Sequence, residues 1–197
     1  MKLTTNQVYA KLNTTDFSQL EAPSTNKGGR GQLLELALGI DNGPDLNDMI
    51  DGELKTFTLG QTIAVTMVNH CLTDIIESSV EFDESKVGQK LSQTIYVGFS
   101  KSNDYLGTKI VNEEMNPVHY QQLAEDYSYI SAEIKRCYNT GEQLSTITGP
   151  NNLLQVRTKA SKNKAGNYTP LCYNGVTLKD KHMAFYLLSG FGKEVLK

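Results

Sequence analysis

The chain has no tryptophan, only five prolines, three cysteines and three histidines in 197 residues, and no long apolar run. Cys71, Cys137 and Cys172 are odd in number and contain no CxxC pair. That argues against a disulfide framework or a zinc site, and reduced, buried, inert thiols in a cytoplasmic setting are expected. His70, His119 and His182 form no HxxxH pair and read as structural or surface histidines. The longest apolar stretches, Thr62 to Val68 and Phe185 to Leu188, are far shorter than the roughly 20 residues of a membrane span. The opening MKLTTNQVYAKLNTT lacks the apolar core of a secretory signal. A soluble protein without a membrane partner is expected. Gly28-Gly29-Arg30-Gly31 is not followed by Gly-Lys-Ser/Thr at Walker spacing, so it reads as a glycine-rich helix start or a link between lobes rather than a nucleotide cradle.

The composition that is present, 39% hydrophobic and 21% charged, is that of a globular protein, with ten Tyr and six Phe supplying aromatic packing. The length suits one domain over 1–197, split into two lobes around a cleft: one over roughly 1–100, the other over roughly 101–197. Charge is unevenly divided. From Asn151 onward eight Lys and Arg stand against Asp180 and Glu194, a net of +6, so the preceding body carries −9 of the overall −3. A basic end on an acidic body points to a polyanion partner.

Thr5 to Leu12 and Asp16 to Leu20 could be short helical pieces, and Pro23-Ser24-Thr25-Asn26 then begins a loop. A helix is predicted from about Gly31, stopped by Gly39 and carrying Glu35. Ile40 to Pro44 is a turn that delivers Asp45. After Gly52, the run Glu53 to Leu59 alternates as a strand with Glu53 and Lys55 on one face and Leu54 on the other. Gly60-Gln61 is expected to turn it into a second strand, Thr62 to Val68, as a hairpin. A short helix over Glu84 to Leu91 should precede a strand at Thr94 to Phe99. The clearest helix follows Pro117, with Leu123, Tyr127, Ile130 and Ile134 as a core-facing stripe. Leu153 to Lys159 alternates as a strand with Gln155, Arg157 and Lys159 on one face. The loop Ser161 to Thr169 then offers Lys162 and Lys164 to backbone phosphate or to solvent.

Glu35, Asp45, Glu53 and Lys55 form the constellation that carries chemistry. Carboxylates hold a hard divalent cation through oxygen, and a neighbouring lysine can orient a nucleophile or offset charge on a phosphate. Asp45 and Glu53 are the expected magnesium ligands, with Mn2+ as a substitute, and Glu35 could bind a second ion or a metal-bound water. Asp48 and Asp51, among the seven residues between Asp45 and Glu53, are competing acids for the first ligand.

Lys27 to Glu35, Leu38-Gly39, Pro44-Asp45-Leu46 and Glu53-Leu54-Lys55-Thr56 resemble the signature of the MutH-like endonucleases of the PD-(D/E)xK superfamily, which include mismatch-repair nickases and GATC-cutting restriction enzymes. Lys86 to Leu91 is similar to the family segment with a second active-site lysine, which implies that role for Lys90. Leu154 to Ala160 and Ala184 to Leu187 resemble the segments that enter DNA, which implies Arg157, Lys159 and Tyr186 as DNA readers. The resemblance implies an α/β fold of restriction-endonuclease type, a mixed sheet flanked by helices, with two lobes forming a DNA cleft. It also implies magnesium-dependent, sequence-specific cutting of double-stranded DNA at GATC or a related short site, leaving 5'-phosphate ends, in the cytoplasm of a bacterial or phage-infected cell near the nucleoid. A type II restriction enzyme is the first expectation. A mismatch-repair nickase with an activating repair protein is the alternative, and a DNA-binding module without catalysis is the third reading. Monomer and dimer are both compatible with the chain.

Overall fold

The computed structural model describes residues 2–20, 29–40, 46–160 and 162–197. Pro44 and Asp45 therefore lie outside the described residues. The chain is mixed α/β and forms two compact units, neither of them a continuous stretch. The first comprises Met1–Ile63, Lys90–Pro117 and Ser189–Lys197, and the second Ala64–Gln89 and Val118–Leu188. No helix among the described residues is long and apolar enough to cross a membrane.

The first unit begins with α1 (Thr5–Leu12) and α2 (Gly29–Leu38). Thr4 and Gln7 form a reciprocal capping box at the start of α1: the Gln7 N–H donates to Thr4 Oγ1 at 3.3 Å, and the Thr4 N–H donates to Gln7 Oε1 at 2.9 Å. At the far end of α2 the chain reverses through Gly39 at φ +75°, the left-handed stop glycine permits at low cost, and Lys11 Nζ donates to the freed Leu38 carbonyl at 2.6 Å. Val8, Leu12, Leu34 and Leu38, spaced four apart on each helix, are buried with Met49 and Leu54 and with Ile95, Val97 and Phe99. Leu54 lies on β1 (Glu53–Thr58) and Ile95, Val97 and Phe99 lie on β3 (Gln93–Phe99); the two strands pair in parallel, and β4 (Tyr105–Asn112) pairs antiparallel to β3, so this sheet is mixed. α5 (Ser189–Val195) closes the unit, with Phe191 edge-on to Tyr96 at 5.2 Å between ring centres.

The second unit holds a sheet in the order β2-β9-β6-β5, formed by β2 (Ile63–Met67), β9 (Met183–Leu187), β6 (Leu154–Thr158) and β5 (Ile147–Thr148). A hairpin of β7 (Leu171–Tyr173) and β8 (Val176–Lys179) stands beside it in sequence. α3 (Lys86–Leu91) carries the chain across the boundary between the two units. α4 (Pro117–Thr140) buries the expected stripe Leu123, Tyr127, Ile130 and Ile134, and adds Tyr120, Asp126 and Cys137 to it.

Two expectations are corrected. β1 and β2 make no hairpin: Gly60, at φ +84°, does turn the chain, but β1 pairs with β3 and β2 is hydrogen-bonded to β9 in another sheet. Burial of the thiols holds for Cys71 and Cys137 but not for Cys172, which is exposed on the short hairpin strand β7.

Candidate active site

Glu53 opens β1 and is 1% exposed. An ionised carboxylate tolerates that burial only when it is paired and hydrogen-bonded. The alternation of β1 places Lys55 two residues on, and its ammonium bonds Glu53 Oε1. The same oxygen accepts from Lys90 Nζ at 2.8 Å, which α3 delivers at the start of β3. Lys90 also donates to the Leu46 carbonyl. The other oxygen, Glu53 Oε2, accepts the Asp48 N–H at 3.2 Å, while Asp48 Oδ2 accepts the Leu54 N–H at 3.0 Å. Glu53, Lys55 and Lys90 are thus brought together by a strand, the end of a helix and a clamped approach segment.

Of the two acids that compete with Asp45, only Asp48 belongs to this cluster. Asp51 Oδ1 accepts from the Thr5 N–H at 2.7 Å and from Thr5 Oγ1 at 2.9 Å, so Asp51 ties the start of β1 to the first turn of α1. The loop between them is tight. A Cβ on Gly52 would lie 2.5 Å from the Gln93 carbonyl oxygen and 2.8 Å from Thr5 Oγ1.

Glu35 projects from α2 into the same electrostatic field. Burial is the main cause that pushes its carboxyl above the ordinary range; Asp48 and Glu53 push the same way and Lys55 opposes them. Asp48 is raised first by burial and then by Glu53, against Lys55, the Leu54 N–H and Lys90. Gly31 lets α2 approach β1: a Cβ there would sit 3.3 Å from Thr56 Oγ1 and 3.8 Å from Glu35 Oε1. No group of three or more His, Cys, Asp and Glu side chains able to hold a metal ion occurs among the described residues. The donor chemistry nevertheless fits a hard cation. Glu35, Asp48 and Glu53 all offer carboxylate oxygens; burial first, and the neighbouring carboxylates second, raise Glu35 and Asp48, and a divalent ion would favour their charged forms.

The expected DNA readers lie in the second unit. β6 and β9 are antiparallel with Gln155 opposite Tyr186 and Arg157 opposite Ala184. The Arg157 guanidinium stands 4.3 Å from the centre of the Tyr186 ring. Burial pushes the Tyr186 phenol up, and Arg157 partly offsets this. Lys159 follows β6, exposed, with its N–H donating to the His182 carbonyl at 2.9 Å. Lys162 and Lys164 are exposed, on a loop that carries an isolated bridge and a turn. Lys162 pairs with Tyr168 in an antiparallel bridge, Asn163 Oδ1 accepts the N–H groups of Ala165 and Asn167 at 3.0 Å each, and Gly166 takes φ +81°.

Sequence reasoning missed Asp126. It is fully buried in α4, and its carboxylate accepts the N–H groups of Asn151 at 2.7 Å, Leu153 at 2.9 Å and Leu154 at 2.8 Å, fixing the backbone that leads into β6. A signal was available: an acid lies on the apolar stripe, three residues after Leu123 and four before Ile130. Comparison with protein-family models and with curated proteins finds no match to this chain.

Proposed function

We propose that the chain is a magnesium-dependent, sequence-specific endonuclease of double-stranded DNA, a MutH-like restriction enzyme of restriction-endonuclease fold acting at GATC or a related short site. The observation that carries this reading is the buried Glu53 carboxylate with Lys55 and Lys90 on one oxygen and Asp48 at the other. An ordinary solvated charged strand has no reason to bury an acid and focus two lysines on it.

Glu53 and Asp48 would hold the ion, with Asp45 the further candidate that the resemblance implies and Glu35 available for a second ion or its water. A bound magnesium ion would supply Lewis-acid polarisation of the scissile phosphate and a lowered pKa for a water molecule. Lys55, at 21% side-chain exposure, is the more accessible of the two lysines and would orient the attacking water once it leaves Glu53. Lys90, anchored by Leu46, would offset the negative charge that develops on the phosphate oxygens. Arg157 would bridge guanine O6 and N7, with its plane held by Tyr186.

Purified protein incubated with magnesium and plasmid DNA, methylated and unmethylated, tests the reading beside Lys55→Ala. The wild type should cut unmethylated plasmid to fragments with 5'-phosphate ends, and Lys55→Ala should bind but cut about 100-fold or more slowly. Wild-type protein that binds both substrates and cuts neither would reduce the chain to a DNA-binding module. Nicking only when an activating repair protein is added would assign it to the nickase branch.

A further inference from the structure

We propose that the hairpin over residues 162–168 and Lys181 form a cationic clamp for DNA backbone phosphates, with the ring of Tyr168 as its hub. This rests on the DNA-cutting reading above and assigns a phosphate contact beyond the base-reading strands. Tyr168 is 40% exposed, and one ring holds two cations: Lys181 Nζ lies 4.6 Å from its centre and Lys162 Nζ 5.6 Å. The negative face of an aromatic ring attracts ammonium groups, so it can keep two like charges close together without neutralising either. The acid beside them is Asp180, whose Oδ2 lies 3.8 Å from Lys181 Nζ; the pair is solvent-exposed, where such contacts contribute little.

The hairpin is organised in advance. Asn163 accepts from Ala165 and Asn167, its own N–H donates to the Asn167 carbonyl at 2.8 Å, and Gly166 closes the turn. Lys164 is therefore presented on an ordered turn. The clamp also continues the strand pair that carries Arg157. β6 and β9 end with Thr158 opposite Met183, the next residues, Lys159 and His182, remain bonded, and Lys162 and Lys181 lie just beyond. A hollow of about 290 Å³ lined by Met67, Lys159, Ala160, Thr169 and His182 opens at the same end. An open array of lysines at the end of a base-reading strand pair fits the division in which phosphate contacts position the protein and base contacts specify.

The test is duplex binding measured by fluorescence anisotropy, without magnesium so that nothing is cut, across about 50 to 200 mM salt, with and without a GATC site. Lys181→Ala should reduce the slope of log affinity against log salt by about one and weaken both duplexes by the same factor. Tyr168→Ala should do likewise. Tyr168→Phe should match the wild type, because the ring face rather than the hydroxyl holds the lysines. Duplex binding with unchanged slopes in Lys181→Ala and Tyr168→Ala would overturn the clamp alone, as would a loss confined to the GATC duplex. A wild-type chain that binds no duplex at any salt would overturn the clamp and the nuclease reading together.

Discussion

Asp48 and Asp51 flank the same turn, three residues apart, yet their carboxylates face different tasks. Asp48 shares a field with Glu35 and Glu53, whereas Asp51 holds Thr5. Asp48→Asn should therefore lower the cleavage rate by about 100-fold or more. Asp51→Ala removes two bonds to a nearly buried threonine and should cost about 2 kcal/mol of stability, with cleavage by the folded protein retained. Chemical denaturation alongside a cleavage assay separates the two, and equal catalytic loss in both variants would contradict the assignment. Glu53 and Lys55 could be read from the sequence because strand alternation places residues i and i+2 on one face. The lysine that completes the pair could not, since Lys90 arrives from 37 residues away and was implied only by resemblance.

At the scale of elements, Asp126 is the most consequential side chain outside the candidate site. Three backbone N–H groups before and at the start of β6 end on it, and a Cβ on Gly149 would lie 2.2 Å from its carboxyl carbon. Asp126→Ala would strand buried donors and should cost about 3 kcal/mol or more, visible as a fall in melting temperature. A loss below about 1 kcal/mol would mean that water replaces the carboxylate. Helices were the most legible elements. α4 has the three-to-four-residue spacing of apolar side chains, and α2 has a run of good helix formers ended by Gly39; both are local signals that survive folding. β4 was missed because Tyr105 and Leu106 are exposed and the strand has no alternation to detect. The β1–β2 turn was read correctly and its partnership was not, because a turn fixes the direction of the chain but not the sheet it joins.

For the whole molecule, a divalent ion that binds the folded chain at Glu53 and Asp48 must raise its stability by mass action. At about a hundredfold excess over Kd the gain is about 2.7 kcal/mol, or roughly 5 to 10 °C in Tm for a chain of this size. Calorimetry should show that shift with magnesium in the wild type and its absence in Glu53→Gln. A shift that survives the substitution would place the ion elsewhere. The uneven charge along the chain was legible by counting, but its organisation was not: ring contacts gather Lys162 and Lys181 around Tyr168 from 6 and 13 residues away respectively in sequence.

The interleaving of the two units also dictates an order of events during synthesis. The first unit begins with α1 and α2 but needs β3, which follows the first segment of the second unit, and α5, which follows all of it. Until Phe191 emerges from the ribosome, Tyr96 lacks the nearer of its edge-on contacts with Phe57 and Phe191, and Phe57 lacks the close contact with Gly192, where a Cβ would lie 2.7 Å from its ring. A nascent chain halted before Ser189 therefore holds an incomplete first unit beside a second unit whose residues are already all translated. The part bearing the candidate metal ligands would be the last to mature.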